Sequence, residues 1–183
     1  MPKVSEEHLA ARRAQILAGA RGVFAAHGYD GATVSRLEEA TGLSRGAIFH
    51  YFENKQALFV ELAWEMNVRL GDILVERGLD AALRELAHES PEWLGVLIEA
   101  ETKLRHDPEF VRRMDEKLTE GGRIAAWFEE RQADGTLRGD VPAVELGRFA
   151  TMVINGLALR IAGQDPFDVD ATLRLLNDAL APR

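Results

Sequence analysis

Cysteine is absent from the 183-residue chain. That excludes disulfides, zinc ribbons, iron–sulfur clusters and a thiol nucleophile. Long apolar runs are missing too: none reaches the roughly 20 residues of a membrane span. The opening Met1-Pro-Lys-Val-Ser-Glu-Glu-His8 lacks the apolar stretch of a signal peptide. A soluble cytoplasmic protein with no membrane partner is therefore expected. No period-2 alternation of any length occurs, so strands are not expected. Nothing repeats at a fixed period and no segment is of low complexity. The catalytic signatures Gly-x-Ser-x-Gly, the phosphate loop and His-Glu-x-x-His are absent as well. A di-iron site in a helical bundle needs two Glu-x-x-His motifs, and this chain offers one such spacing, Glu85-Leu-Ala-His88. An enzyme is not expected, and no cofactor is required.

What is present points to a folded, helical chain. Apolar residues make up 46% and charged residues 28%, too apolar for intrinsic disorder. A chain of this length forms one or two domains and buries about 70% of its extended surface. The net charge of −8 argues, for the whole, against a polyanionic partner. The distribution is uneven. Residues 1–56 carry seven Lys/Arg and six Asp/Glu, a net +1, and the remainder carries −9. A near-neutral head with locally placed cations can touch phosphate while an acidic body repels it.

Helical spacing runs the length of the chain. Leu9, Ile16, Leu17, Ala20, Val23 and Phe24 recur every three or four residues as one stripe of a first helix over 6–27. Gly28 suits the positive-φ position after its end. Thr33 caps a second helix through Ala40, Ser44 a third over Arg45 to His50, and Asn54 a long fourth to about Glu76. Proline just inside a helix start is read at Pro91, Pro108 and Pro142, and Gly121-Gly122 within the helix that follows Pro108 marks a bend or a close helix contact. Nine helices are expected: an all-α fold with a three-helix head over 1–54 and a six-helix body over 55–183.

The head carries the sharpest signal. Two short helices joined across Thr41-Gly-Leu43 form a helix-turn-helix, with Gly42 supplying the positive φ of the turn. Val34, Leu37, Ala40, Leu43, Ile48 and Phe52 form its apolar seam. On the outer face of the third helix Gly46 and Ala47 are too small to hinder a close approach, while Arg45 and His50 project. A major groove about 12 Å wide admits such a helix, and an arginine there donates a fork of hydrogen bonds to guanine O6/N7. Thr33, Ser44, Tyr51 and Lys55 are candidates for phosphate oxygens, Arg36 joins the candidate DNA contacts, and helix N-termini add backbone donors. A helical hairpin in which the small residues serve packing alone is the competing reading. So is a helical dimer that scaffolds other proteins without binding DNA.

Residues 12–62 settle the preference, because they resemble the TetR family of one-component repressors. The resemblance rests on Ile16-Leu-Ala-Gly-Ala-Arg-Gly-Val-Phe-Ala-Ala-His-Gly-Tyr29, Ala32-Thr-Val34, Thr41-Gly-Leu-Ser-Arg-Gly-Ala-Ile-Phe-His-Tyr-Phe52 and Asn54-Lys-Gln-Ala-Leu-Phe59. Within that family the chain is similar to the actinobacterial aconitase repressors. The shared strings are Met1-Pro-Lys-Val-Ser5, His8-Leu-Ala-Ala-Arg-Arg13, Arg36-Leu-Glu-Glu-Ala40 and Arg45-Gly-Ala-Ile-Phe-His50, and in the body Lys103-Leu-Arg-His-Asp-Pro108, Asp140-Val-Pro142 and Asn155-Gly-Leu157. The resemblance implies a homodimer through helices at about 142–163 and 168–181, paired heads on a palindromic double-stranded DNA operator, and release by a small-molecule effector. It also implies control of aconitase expression, with a tricarboxylate such as citrate, accompanied by Mg²⁺, as the effector. Glu38 departs from the family, which usually packs an alanine there, and is expected at the edge.

Two charges in the body sit among apolar neighbours. On the helix after Pro91, Glu101 falls inside the arc of Trp93, Leu94, Val96, Leu97, Ile98, Ala100 and Leu104 at 100° per residue. A buried carboxylate needs a cation, metal, proton or water; otherwise the residue lies at a wet edge. On the helix after Pro142, Arg160 falls among Leu146, Phe149, Ala150, Val153, Leu157 and Ile161. It binds an anionic ligand, pairs with Glu101, or snorkels out at the helix end. Trp64, Trp93 and Trp127 line a pocket or fill the core, and Asn155 orients a ligand or faces solvent or an interface.

Overall fold

A computed structural model describes residues 6–119 and 122–182. Among them are ten helices and no strand: α1 (Glu6–Gly31), α2 (Val34–Thr41), α3 (Arg45–Tyr51), α4 (Lys55–Arg77), α5 (Leu79–Ala87), α6 (Pro91–Leu104), α7 (Pro108–Thr119), α8 (Gly122–Ala133), α9 (Ala143–Ala162) and α10 (Val169–Leu180). The helix expected after Pro108 is described as two stretches, α7 and α8, on either side of residues 120 and 121, which raises nine to ten. Of the two glycines read there, Gly121 lies outside the described residues, as do Met1 to Ser5. Pro91 and Pro108 open their helices, but Pro142 stands one residue outside α9 as its cap. Polar caps start the helices where expected: the Asn54 side chain accepts from the Ala57 N–H at 2.8 Å, and Thr33 and Ser44 cap α2 and α3.

The chain divides into two compact units, one comprising residues up to Trp64 with Gly95–Met114, the other Glu65–Leu94 with residues from Asp115 onward. Three helices, α4, α6 and α7, carry residues of both.

In the first unit, Ile16, Ala20 and Phe24 of α1 are buried, as are Leu37, Ile48, Leu58 and Phe59. Each buried Ile, Leu and Phe side chain among these contributes roughly 1.5–3 kcal/mol relative to exposure. Phe24, Tyr29 and Phe59 form an aromatic triangle with centroids 5.1–6.0 Å apart. Leu9, expected in the stripe, is 40% exposed, because it lies beyond the helices that cover the rest of α1. Ala40 is likewise exposed, and Val34 and Leu43 are half-buried. The buried contact there belongs to Thr41, at 4% exposure. Its hydroxyl donates to the Leu37 carbonyl at 2.7 Å, and Gln15 Nε2 donates to its carbonyl at 2.8 Å.

Thr41 explains a glycine. A Cβ on Gly19 would lie 2.8 Å from Thr41 Cγ2 and 3.1 Å from the Ala40 carbonyl oxygen, whereas one on Gly22 meets nothing within 4 Å. Gly19→Ala is therefore expected to destabilise the protein by about 1–3 kcal/mol through overpacking of α1 on α2. Gly22→Ala is expected to stabilise it by up to about 1 kcal/mol through helix propensity. Thermal melts of the two variants check the pair, and equal melting temperatures would remove the packing role of Gly19.

In the second unit, α5, α8, α9 and α10 pack around Leu79, Leu83, Leu86, Phe128, Leu146, Leu157, Leu173 and Leu176, all buried. Polar ties close its surface: Asn177 Nδ2 donates to Asp80 at 3.0 Å, Arg84 pairs with Asp170 at 2.6 Å, and the Arg138 N–H donates to the Leu180 carbonyl at 2.9 Å. No helix among the described residues is long and apolar enough to cross a membrane.

Candidate nucleic-acid interface

The α2–turn–α3 hairpin is held by a closed set of short hydrogen bonds. Gly42 adopts φ 67°, ψ 19° and its N–H donates to the Glu38 carbonyl. The Leu43 N–H donates to Thr41 Oγ1 at 3.3 Å. The Arg45 N–H donates to Glu38 Oε1 at 2.6 Å, and the Ala47 N–H to Ser44 Oγ at 3.3 Å. Ile48 and Phe52 are buried, which fixes the opposite face of α3 outward.

That outward face presents the residues expected of it. Arg45, Gly46, His50 and Ser44 are exposed, and Ala47 and Tyr51 half-buried. Among the described residues the Arg45 guanidinium makes no ion pair, and the His50 and Tyr51 rings meet edge to face at 5.4 Å. A Cβ on Gly46 would meet nothing within 4 Å, so its smallness clears the approach rather than an internal contact. Thr33 Oγ1 accepts from the Arg36 N–H at 3.5 Å. Capping uses an oxygen lone pair, so the Thr33 and Ser44 hydroxyl hydrogens are still able to donate outward.

Three candidates are placed differently from the sequence reading. Lys55 folds inward: its Nζ donates to the Tyr29 carbonyl at 2.8 Å and lies 4.6 Å from the Tyr29 ring centroid. Burial pulls its ammonium below the usual lysine range, opposed by Asp30. It clamps the start of α4 to the end of α1 instead of reaching freely outward, with its ammonium held over the Tyr29 ring and on the Tyr29 carbonyl. Arg36 is exposed but gives Nη1 to the Gly31 carbonyl at 2.6 Å. The N-terminus of α3, expected to offer free donors, has two of them occupied by Glu38 and Ser44. Glu38 is half-buried and structural, not an idle edge residue. Seven positions separate it from its partner, and no local spacing rule covers that interval.

The body candidates are distributed over both compact units, Trp64 and Glu101 in the first and Trp93, Trp127, Asn155 and Arg160 in the second. Glu101 is exposed. Trp93, Val96, Ala100 and Leu104 are buried within about 80° of one another on the wheel, and Glu101 falls about 60° beyond Leu104, at the wet edge of an arc too wide to be wholly buried. Arg160 is exposed and pairs with Asp165, so the pairing with Glu101 is replaced by a local one at the end of α9. Asn155 is exposed, Trp64 and Trp127 are half-buried, and Trp93 is wholly buried. An open cleft of about 490 Å³ in the second unit is lined by Pro91, Glu92, Arg160, Gln164, Asp165 and Phe167 among others; Arg160 alone of the expected ligand residues borders it. The single Glu-x-x-His pair is occupied otherwise, with His88 Nδ1 2.6 Å from the Arg84 carbonyl and Glu85 3.9 Å from Arg69. Among the described residues no three His, Asp or Glu side chains gather as a metal site requires.

Comparisons with known proteins agree with this geometry. The pattern of the bacterial regulatory proteins of the tetR family matches residues 16–62. The chain is 44% identical over 184 aligned positions to the HTH-type transcriptional repressor Rv1474c of Mycobacterium tuberculosis, covering 98% of each. It is 39% identical to the HTH-type transcriptional repressor AcnR of Corynebacterium diphtheriae, covering 98% of this chain and 97% of that one. Among solved structures, GusR of Salmonella enterica aligns with a TM-score of 0.73 at 20% identity, covering 98% of this chain and 99% of that one, which supports the fold. The chain belongs to the tetR family of bacterial regulatory proteins, helix-turn-helix transcriptional repressors and not enzymes.

Proposed function

We propose that the protein represses transcription as a homodimer whose two α3 helices read successive major-groove faces of a palindromic operator. The observation that carries this reading is the outer face of α3: Arg45 and His50 project beside Gly46, over a helix whose other side is anchored by buried Ile48. In this assignment residues 1–54 read DNA and 55–183 serve dimerisation and effector response. Arg45 takes base edges, and Thr33, Ser44 and Tyr51 take phosphates. Arg36 and His50 flank the groove, and Lys55 contacts phosphate only after giving up part of its bond to Tyr29.

Dimerisation is assigned to α9 and α10. Phe149, Met152 and Leu159 are 37%, 65% and 60% exposed and share one stripe of α9, and Leu175 of α10 is 71% exposed. Apolar side chains concentrated on one face mark an association surface. A two-fold pair of like subunits matches a palindrome, with half-sites about one helical turn apart or a multiple of it.

The effector is assigned as citrate, bound with Mg²⁺, and the regulated gene as aconitase. The support is the similarity to AcnR along nearly the whole chain. Citrate supplies its own carboxylates to Mg²⁺, which suits a body in which the described residues gather no metal site. Release is a population shift. An effector that prefers the dimer unable to span the operator lowers DNA affinity only by the ratio of its affinities for the two states, and α4, which carries residues of both compact units, is the lever.

Selection of bound fragments from genomic DNA tests the reading, with fragments upstream of an aconitase gene expected. Titrating citrate with Mg²⁺ into the complex is then expected to weaken binding by about 5- to 150-fold, the usual range of allosteric coupling, with Mg²⁺ alone inert. Unchanged binding removes the citrate assignment. Failure of any duplex to bind at low salt removes operator binding altogether and leaves the helical scaffold.

A further inference from the structure

We infer that Glu38 is a positioning residue for operator reading, holding the first turn of α3 so that Arg45 meets the bases at one fixed angle. The inference rests on the operator-binding reading above and deepens it. Glu38 brackets the turn at both ends. Its carbonyl accepts the Gly42 N–H at 2.9 Å, and its Oε1 accepts the Arg45 N–H at 2.6 Å. The backbone it fixes is therefore that of the residue whose side chain reaches outward.

The geometry makes this tie consequential. Helix α3 has seven residues, a length of about 10 Å. Its middle and far end are seated by buried Ile48 and Phe52, but its first turn has no buried apolar side chain: Arg45 and Gly46 are exposed and Ala47 is half-buried. Two polar ties hold that turn, Ser44 Oγ on the Ala47 N–H at 3.3 Å and the much shorter one from Glu38. A carboxylate accepting from a helix N-terminus is a charge-assisted bond aligned with the helix dipole. Base readout depends on angle and reach, whereas phosphate attraction tolerates misplacement. Loosening this turn therefore costs discrimination more than general affinity.

The test measures the ratio of affinities for a selected genomic operator and a scrambled duplex of the same length and composition. Glu38→Ala, which removes the acceptor, is expected to lower that ratio about tenfold, the size of one lost hydrogen bond to a charged group. Glu38→Gln keeps a carbonyl acceptor without charge. It is expected to hold the ratio within about twofold of wild type, while affinity for both duplexes rises through the loss of one repulsive charge. Glu38→Met, of similar length without an oxygen, is expected to follow alanine and stands in for it if the alanine variant melts below the assay temperature. An unchanged ratio in Glu38→Ala and Glu38→Met overturns the inference. So does an equal loss in Glu38→Gln, which would reduce the role to charge alone. Wild-type protein that fails to prefer the operator counts against operator reading itself and not against Glu38.

Discussion

Met152→Glu is expected to convert the proposed dimer to monomers and to weaken operator binding by at least about a hundredfold. Met152 is 65% exposed in the middle of α9, between Phe149 and Leu159 on the same stripe. In a two-fold interface each residue near the axis faces its own counterpart or a neighbour, so one substitution enters the contact twice. A carboxylate buried there without a partner is strongly unfavourable, and two of them facing each other add repulsion. The DNA consequence follows from linkage. A dimer on two half-sites gains the second contact at an effective concentration set by the first, worth about 10²- to 10⁴-fold over a single head. Sedimentation of the variant together with its binding isotherm checks the chain of argument. A variant that remains dimeric with full operator affinity would move the interface away from α9.

Arg45→Ala is expected to weaken operator binding by about 1–3 kcal/mol per head, the range of one bidentate arginine–guanine contact, and to relax sequence preference at one base pair in each half-site. Arg45→Lys should restore charge but not preference, because an ammonium cannot present the planar fork. Operators carrying each base at the affected position separate the two cases: the wild type discriminates among them and Arg45→Ala does not. A uniform loss on every sequence, with a shallower salt dependence, would make Arg45 a phosphate contact instead. The surface around it supports base reading, since Gly46 leaves the approach open and Arg45 has no competing ion pair among the described residues.

Legibility differed between head and body. The helix starts at Thr33, Ser44 and Asn54 were read correctly because capping is local: the side-chain oxygen and the N–H it accepts lie three residues apart. The core of α1 was legible in Ile16, Leu17, Ala20, Val23 and Phe24, all buried, because one helix face recurs with a fixed period. Leu9 misled the same rule, since periodicity marks a face and says nothing about how far a neighbour extends along it. Gly19 carried no local signal at all. Its constraint is Thr41, 22 positions away in sequence and 2.8 Å from the missing Cβ.

Charged residues were the least legible, since long flexible side chains find partners that no spacing rule specifies. Lys55 turned inward onto Tyr29, Arg160 closed on Asp165, and Glu101 reached solvent. Glu38 took the Arg45 N–H. The two acid–base pairings across the head and the α6–α7 segment, Asp30 with Lys103 and Glu53 with Arg113, join residues 73 and 60 positions apart.

The amino-acid order alone determined the all-helical class, the helix-turn-helix with its caps and positive-φ Gly42, and the outward set of Arg45, Gly46 and His50. These follow from periodicity, capping and backbone sterics, which act within a few residues. The packed chain decided which charges remain exposed, which glycine is sterically required, and that the Glu38 carboxylate takes the Arg45 N–H at the start of α3. Those outcomes depend on approaches between segments distant in sequence, where a few ångströms determine whether a group finds a partner or water.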